Sequence, residues 1–258
     1  MNFDADLTAC AGLVERGDPD RFRAVMAAPA AARRVLFPIF AFNIEVSRAP
    51  WVTQESMIAE MRLQWWRDAL EEIAGGGPVR RHEVVTPLAA ALTPDLARAL
   101  DPLVEARRWE IYRDPFEDAA ALDAYLDATS GALLTVAAQA LGPAEAAPLR
   151  DLGYALGVAN WLRAVPALEA QGRIPLVDGR PEGVVALAET GLARLARARG
   201  QRRAVSRAAA PACLTAWSAG PVLRQARSEP SAVAQGRLDP PEARGRMALI
   251  YRAATLRW

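Results

Sequence analysis

Caps and stops divide this chain into segments of helical length, and this division constrains the fold more than any other feature. Asp18-Pro19 and Thr93-Pro94 each place a capping side chain before a proline, as is typical of the start of a helix. Gly75-Gly76-Gly77-Pro78 would end a helix, because glycine adopts the left-handed conformation readily and proline cannot continue the helical hydrogen bonding. The alternating pattern of a β-strand is almost absent. The sequence therefore predicts an all-α protein.

The predicted helices occupy most of the chain, and no unit of roughly 20–50 residues repeats. They span residues 4–17, 18–28, 30–46, 54–74, 94–112, 121–141, 144–162, 182–199, 202–217 and 240–256. Thr53 is the predicted cap of the helix over 54–74, and Asp239 is that of the last helix. Pro38 is expected to kink its helix and Gly131 to interrupt the helix over 121–141. Residues 173–181 are predicted to form a loop, and residues 1–258 a single domain.

Composition excludes several classes of chemistry. The chain has 258 residues and a net charge of +1, so it can form a substantial core and has no overall field favouring nucleic acid. It contains no lysine, which excludes Schiff-base and P-loop lysines. His82 is the single histidine and is expected to be solvated in a loop after Arg80-Arg81. No G-x-S-x-G segment accompanies it, so Ser-His-Asp catalysis is not expected.

Cysteine use and terminal composition indicate a cytoplasmic protein. Cys10 and Cys213 are isolated and form neither a disulfide framework nor a zinc motif, which is typical of a reducing compartment. The first residues are acidic, unlike a secretory signal. No run approaches the roughly 18 apolar residues that a spanning helix needs.

The helix predicted over 54–74 has two apolar sides. One polar stripe at helical spacing opposes two apolar stripes, which predicts a helix placed between neighbours. The polar stripe contains Glu60, Gln64, Arg67 and Glu71, and the apolar stripes contain Ile58, Met61, Trp65, Ala69 and Ile73, and Leu63, Trp66 and Leu70. Trp65 and Trp66 are interpreted as core residues, as the lining of a hydrophobic pocket, or as both.

Several segments resemble the squalene/phytoene synthase family. They are the apolar stretch at 34–43, RLQWWRDAL at 62–70, LGVANWLR at 156–163 and GRIPL at 172–176, with Tyr125 and Ser130-Gly131 between them. The likeness covers about residues 30–180. It implies an isoprenoid-synthase-like bundle, a helical cup in a single domain.

The two aspartate-rich motifs of that family are missing at the matching positions. The first, D-D-x-x-D, is replaced by Ser47-Arg48-Ala49-Pro50-Trp51, and the stretch 163–171 that matches the second keeps one carboxylate, Glu169. In the family enzymes these aspartates hold Mg²⁺ ions that neutralise a departing diphosphate. The resemblance therefore implies no catalytic residue and no metal ligand, with Mg²⁺ as a cofactor only if the protein is nevertheless a transferase.

Two other carboxylate pairs have one-turn spacing. They are Asp123 with Asp127, and Asp114 with Asp118. Aspartate is also favoured where helices begin, and Asp114 and Asp118 fall at such a junction. No second pair opposes either of them at the matching position, so neither is expected to bind a metal.

A narrower resemblance rests on Leu162-Arg163-Ala164-Val165-Pro166 followed by Gly172-Arg173. These residues are similar to a branch of the family that includes mitochondrial complex I assembly factors and their α-proteobacterial relatives. The resemblance implies a catalytically silent binding or assembly factor, acting with a respiratory complex at the inner face of the membrane.

Two alternatives remain open. The first is an active prenyl-diphosphate transferase with relocated or fewer metal ligands, for which Asp68, Asp123, Asp127 and Glu169 are the candidates. The second is a carrier of an isoprenoid or another lipid. For all three functions the resemblance and the apolar pattern give one set of candidate pocket residues: Phe40, Phe42, Asn43, Arg62, Trp65, Trp66, Tyr125, Asn160 and Arg163.

The C-terminal third contains a basic stretch. Residues 190–228 include no aspartate or glutamate but eight arginines: Arg194, Arg197, Arg199, Arg202, Arg203, Arg207, Arg224 and Arg227. One interpretation is that they pair with carboxylates elsewhere or solvate a helix face. The other is contact with an acidic partner, either anionic lipid headgroups or an acidic protein surface. Nucleic acid is not expected, because no recognised binding motif accompanies the arginines.

Overall fold

The computed structural model describes residues 3–238 and 242–258, which form helices and loops around one continuous hydrophobic core. The α-helices of this part of the chain are α1 (Phe3–Gly17), α2 (Pro19–Ala27), α3 (Ala30–Arg48), α4 (Ser56–Gly75), α5 (Val85–Ala91), α6 (Pro94–Ala106), α7 (Ala119–Leu126), α8 (Ala132–Gln139), α9 (Ala146–Ala170), α10 (Pro181–Gly200), α11 (Ala210–Cys213), α12 (Ala219–Ser228), α13 (Ser231–Ala234) and α14 (Glu242–Thr255). Shorter elements are the 3₁₀-helices Arg107–Glu110, Arg202–Ala204 and Leu214–Ala216 and the π-helical segment Asp127–Gly131. The predicted all-α class is confirmed.

The predicted caps account for several helix ends. The Asp18 carboxylate accepts a hydrogen bond from the Arg21 backbone N–H at 2.9 Å, and Thr93 Oγ1 accepts one from the Leu96 N–H at 3.4 Å. After the C-terminal end of α4, Gly76 adopts the left-handed conformation with φ of 69°. These local interactions satisfy backbone groups that a helix end would otherwise leave unpaired.

The structure differs from two predicted helices, one at its start and the other in its interior. The helix over 54–74 begins at Ser56, because Thr53 Oγ1 accepts from the Glu55 N–H in a local turn before the helix. The helix predicted over 202–217 is wrong. Val205 is extended and pairs with Ala144, so the chain turns there before α11 begins at Ala210.

The structure also differs from the prediction in the number and the length of the helices. The helices α5, α12 and α13 were not predicted, α6 ends at Ala106, and α9 continues past Leu162 to Ala170. The predicted interruption at Gly131 is a π-helical segment that joins α7 to α8 without ending the helix. The predicted cap Asp239 lies outside the described residues.

Helix α9 lies at the centre of the bundle. Every residue of the run from Leu152 to Ala159 is buried, and α9 packs against α8, α10 and α12. Gly153 allows one of these approaches, since a Cβ atom there would lie 2.6 Å from the Ser130 carbonyl oxygen and 2.7 Å from Gly131 Cα. The central helix therefore touches the backbone of the π-helical segment directly.

The two apolar sides of α4 are not equally covered. Leu63, Trp66 and Leu70 are buried as predicted. Ile58 and Met61, however, are 39% and 66% exposed, so the first half of the other stripe faces outward. The prediction that α4 lies between neighbours on both sides is therefore wrong for its N-terminal half.

Both cysteines are buried, and we expect neither to react in the folded protein. Burial raises the pKa of Cys10 to about 12 and that of Cys213 higher still, which leaves almost no thiolate at neutral pH. Ellman's reagent at pH 8 should label no thiol in the native state and both thiols in denaturant. Rapid labelling of either cysteine in the folded protein would contradict this burial.

None of the helices within the described ranges combines the length and apolar composition that a membrane crossing requires.

Candidate functional site

A cavity of about 880 Å³ opens among α2, α3, the π-helical segment and α9. Its walls carry apolar side chains together with arginines, three carboxylates and three amides. The two segments that the sequence resemblance matches to the aspartate-rich motifs, 47–51 and 163–171, both contribute side chains to its lining. Its lining therefore decides which chemistry the protein can perform.

The lining residues that α3 and the turn after it contribute include no carboxylate. Asn43, Ser47 and Trp51 are spaced four residues apart and all line the cavity. Ser47 Oγ donates a hydrogen bond to the Ile44 carbonyl oxygen at 3.0 Å, and Trp51 Nε1 donates to Glu110 Oε2 at 2.7 Å. A neutral hydroxyl and an indole therefore stand at the positions that the sequence resemblance matches to the first aspartate-rich motif.

The opposite wall, formed by α9, is similarly changed. Asn160, Ala164, Ala167 and Gln171 are spaced by four, three and four residues, so they lie on one face of the helix, and all line the cavity. The alanines offer only methyl groups at the positions facing the space. Neither wall can therefore contribute one half of a magnesium clamp.

The carboxylates that do line the cavity are bonded to arginine. Asp18 caps α2 and pairs with Arg21 at 2.6 Å, while Asp20 pairs with Arg163 at 3.0 Å and with Arg23 at 3.2 Å. Within residues 3–238 and 242–258, no group of three or more His, Cys, Asp or Glu side chains could hold a metal ion. Mg²⁺ prefers several free oxygen ligands, so this donor set does not fit it.

The third carboxylate, Glu110, is the centre of a buried network. Its Oε1 accepts hydrogen bonds from Arg107 Nη1 at 2.5 Å and from the Tyr125 hydroxyl, and its Oε2 accepts from Trp51. Burial raises the pKa of Tyr125 well above its ordinary value, and the neighbouring Glu110 charge acts in the same direction. Burial opposes the charge on Arg107, but Tyr125 and Glu110 outweigh it and raise the pKa of Arg107. The network therefore keeps a protonated phenol beside an ion pair.

Aromatic rings and a loop complete this end of the cavity. Trp109 stacks on Phe116 at 3.9 Å, and Trp161 lies edge-on to Tyr125 at 5.3 Å. Trp161 Nε1 donates to the Pro175 carbonyl oxygen at 2.9 Å, which fixes the loop after α9. The loop begins at Gly172, whose φ of 74° ends α9. The family-like segment at 172–176 is thus part of the packing around the cavity.

The candidate pocket residues fall into three places. Asn43, Tyr125, Asn160 and Arg163 line the cavity. Arg62, Trp65 and Trp66 instead line a separate surface groove of about 570 Å³ beside α3 and α4.

The remaining two candidates, Phe40 and Phe42, are buried in the core. Phe42 packs edge-on against Trp66, and Arg21 lies over the Phe40 ring. The prediction that all four aromatic residues line one pocket is therefore wrong, since α3 turns these two rings away from open space.

His82 also differs from its prediction. Its ring is partly buried and lies 5.1 Å from Trp65 and 5.6 Å from Trp66. His82 Nδ1 accepts a hydrogen bond from the Val84 N–H at 3.1 Å. The histidine supports the floor of the groove, because the loop that carries it folds back onto α4.

The carboxylates considered for a transferase lie away from the cavity lining. Asp123 accepts from the Tyr154 hydroxyl and pairs with Arg194 at 3.8 Å, and Asp127 pairs with Arg150. Asp68 accepts from Gln64 at 2.7 Å on the surface of α4, and Glu169 is exposed. Asp118 caps α7 by accepting from the Ala121 N–H at 2.8 Å.

Three residues of the site were not foreseen. Arg107 and Glu110 were placed inside a predicted helix, and Asp20 was placed in the first turn of another. Their partners are up to 143 residues away in sequence, as for Asp20 and Arg163. The one local signal was the three-residue spacing of opposite charges in Arg107 and Glu110, which is common on exposed helices as well.

Comparisons with known proteins find curated relatives that are named as assembly factors. Two curated relatives are the NADH dehydrogenase (ubiquinone) complex I, assembly factor 6 homolog of Drosophila melanogaster and assembly factor 6 of Homo sapiens. The first is 29% identical over 166 residues and the second 25% identical over 167 residues. Each match covers 61% of this chain and 50% or 48% of the relative. The chain thus spans about half the length of the curated relatives it matches.

Solved structures of similar fold are synthases. A dehydrosqualene synthase in complex with ligand has a TM-score of 0.78 at 15% identity, covering 98% of this chain and 96% of that one. Squalene synthase HpnC from Alicyclobacillus acidocaldarius has a TM-score of 0.73 at 16% identity, covering 91% and 95%. These similarities concern the fold. The family model for squalene/phytoene synthase matches residues 14–178, more than half of the sequence, and the chain therefore belongs to the squalene/phytoene synthase family.

Proposed function

We propose that this protein is a catalytically silent member of its family and acts as a binding factor in the assembly of a complex I-type NADH dehydrogenase. One observation carries the proposal. The two cavity walls present Ser47 and Trp51 on one side and Ala164 and Ala167 on the other, while the carboxylates of the cavity are bonded to arginines.

Ionisation of an allylic diphosphate leaves about three negative charges that metal ions must neutralise as the bond breaks. Each loss of about 1.4 kcal/mol of this stabilisation slows the reaction tenfold. A cavity without a magnesium clamp therefore loses the chemical step and keeps only the ability to bind.

The similarity to assembly factor 6 proteins supports the choice of process. The proposed partner is a protein of the respiratory complex or of its assembly intermediates, met at the membrane surface. Deletion of the gene in the native host should lower the level of assembled complex I, and affinity capture should recover a subunit of that complex. Normal complex I in the deletion strain would contradict the proposal.

A matched variant separates this function from catalysis. The paired substitutions Asp123→Asn and Asp127→Asn remove the carboxylates of the transferase alternative that have one-turn spacing on the helix. We expect the variant to restore complex I in the deletion strain as fully as the wild type. Failure of a folded D123N/D127N protein to do so would favour a metal-dependent role.

The open cavity favours a second candidate function, the binding of an isoprenoid or another lipid. Ala164→Phe would place a ring in the cavity without removing a hydrogen bond. A carrier should lose lipid that co-purifies in native mass spectrometry, and it should also lose its effect in the host. For the assembly factor as proposed, A164F should leave the complex I level unchanged.

A further inference from the structure

The arginines of the basic stretch differ in whether they pair with carboxylate side chains. Arg197 pairs with Asp151 at 2.7 Å, and Arg194 lies over the Tyr154 ring and pairs with Asp123. These two arginines are therefore occupied by carboxylates and do not form part of a free basic surface. Three other arginines of the stretch, Arg199, Arg202 and Arg224, lie near Arg252 of α14.

This arginine cluster consists of Arg199, Arg202, Arg224 and Arg252. Measured from the position a Cβ atom would take on Gly220, Arg224 Nη1 lies at 3.3 Å and Arg199 Nη2 at 3.8 Å, so two guanidinium groups meet over that glycine. Arg252 donates to the Trp217 carbonyl oxygen at 3.2 Å, and Arg202 donates to the main-chain oxygen of Trp258 at 3.0 Å. Three helices and a 3₁₀-helix thus bring four positive charges together.

No carboxylate side chain of residues 3–238 and 242–258 pairs with these four arginines. Burial, together with the charges of Arg252, Arg202 and Arg224, lowers the pKa of Arg199 to about 10. Burial and the charges of Arg202 and Arg224 also lower the pKa of Arg252. Arg199 Nε is also buried without a hydrogen-bond partner.

Such an arrangement costs stability unless an anion occupies it. The C-terminal ends of α10 and α14 offset part of the charge, because a helix C-terminus carries a partial negative charge. They do not satisfy Arg199 Nε, and they do not supply the planar oxygen pairs that guanidinium groups bind best. A phosphate group has the charge and the several acceptor oxygens that a set of converging arginines would complement.

We propose that the arginine cluster is a binding site for a phosphate group, outside the central cavity. Two sources could provide that chemistry, the headgroup of an anionic phospholipid or a free phosphate. The structure favours the lipid, since α14 exposes Met247, Ile250 and Tyr251 at helical spacing just before Arg252. The site does not depend on the proposed assembly role and would exist in a protein of any function.

The decisive comparison uses two double variants that remove the same charge. Arg199→Gln with Arg224→Gln removes half of the cluster, and Arg203→Gln with Arg227→Gln removes two exposed arginines of the same stretch outside it. Binding is measured by flotation with vesicles of phosphatidylcholine and phosphatidylglycerol, and with phosphatidylcholine alone. Inorganic phosphate is tested by thermal shift against sodium chloride of equal ionic strength.

We expect the wild type to bind the anionic vesicles and not the neutral ones. R199Q/R224Q should weaken that binding about twenty-five-fold, because each well-placed arginine contributes roughly a factor of five, and R203Q/R227Q should weaken it much less. Stabilisation by phosphate without vesicle binding, lost in R199Q/R224Q, would support the site with a soluble ligand. Equal loss in the two variants, or no binding of either probe, would overturn the proposal.

The folded state of the variant provides an internal check. Because the four arginines repel one another, R199Q/R224Q without phosphate should be at least as stable as the wild type. If it does not fold, Arg224→Gln alone carries the same comparison against Arg227→Gln, since both side chains are exposed on α12. Equal vesicle binding by these two single variants would also overturn the proposal.

Discussion

Replacing Glu110 with alanine is expected to lower the free energy of unfolding by about 3–5 kcal/mol. The Glu110 carboxylate is 5% exposed and accepts hydrogen bonds from Arg107, Tyr125 and Trp51. Without it, Arg107 would keep a buried charge with one phenol as its remaining side-chain partner. For a chain of this size the melting temperature should fall by roughly 6–20 °C, measured by circular dichroism.

A matched control separates burial from pairing. Arg237 and Glu229 form an ion pair of similar length, 2.6 Å, but both side chains are about half exposed. Glu229→Ala should therefore cost less than about 1 kcal/mol. Glu110→Gln retains an acceptor oxygen and should lie between the two. The account of the network fails if Glu110→Ala is no more costly than Glu229→Ala.

Adding one methyl group at Gly153 is expected to be nearly as damaging. The Cβ atom of Gly153→Ala would lie 2.6 Å from the Ser130 carbonyl oxygen, so α9 or the π-helical segment must shift. Both contacting atoms belong to backbone and cannot rotate away, so we expect a loss of about 3 kcal/mol, the upper end for overpacking. Chemical unfolding in urea measures this loss.

Gly75→Ala is the corresponding control. Gly75 is the last residue of α4, and no heavy atom lies within 4 Å of the position its Cβ would occupy. Alanine there should be neutral or stabilising by up to about 1 kcal/mol, because it restricts the unfolded chain. Similar unfolding midpoints for the two alanine variants would contradict the close approach of α9 to the π-helical segment.

The fold was largely predictable because its signals are local. Asp18, Thr93 and Gly76 act within a few residues of themselves, and the structure places them where capping chemistry requires. The prediction failed at residues 202–217, where a contact with the distant Ala144 holds Val205 extended. Composition alone favours a helix there, and no local pattern records the pairing.

The site was predictable only in outline. The resemblance correctly indicated the family, and Asn160 and Arg163 do line the cavity. The partners of Glu110 were not recoverable, since Trp51 lies 59 residues earlier and the network exists only once the chain is packed. Trp65 and Trp66 lie on α4, in the segment that resembles the family. Their helical spacing does not reveal that they line a surface groove separate from the cavity.

The absence of a magnesium clamp is the central claim, and diphosphate release tests it most directly. Purified protein is incubated with farnesyl or geranylgeranyl diphosphate and Mg²⁺, beside an active squalene or dehydrosqualene synthase. The cavity walls at Ser47, Trp51, Ala164 and Ala167 predict no release above a heat-denatured sample. Steady release that EDTA abolishes would contradict the account.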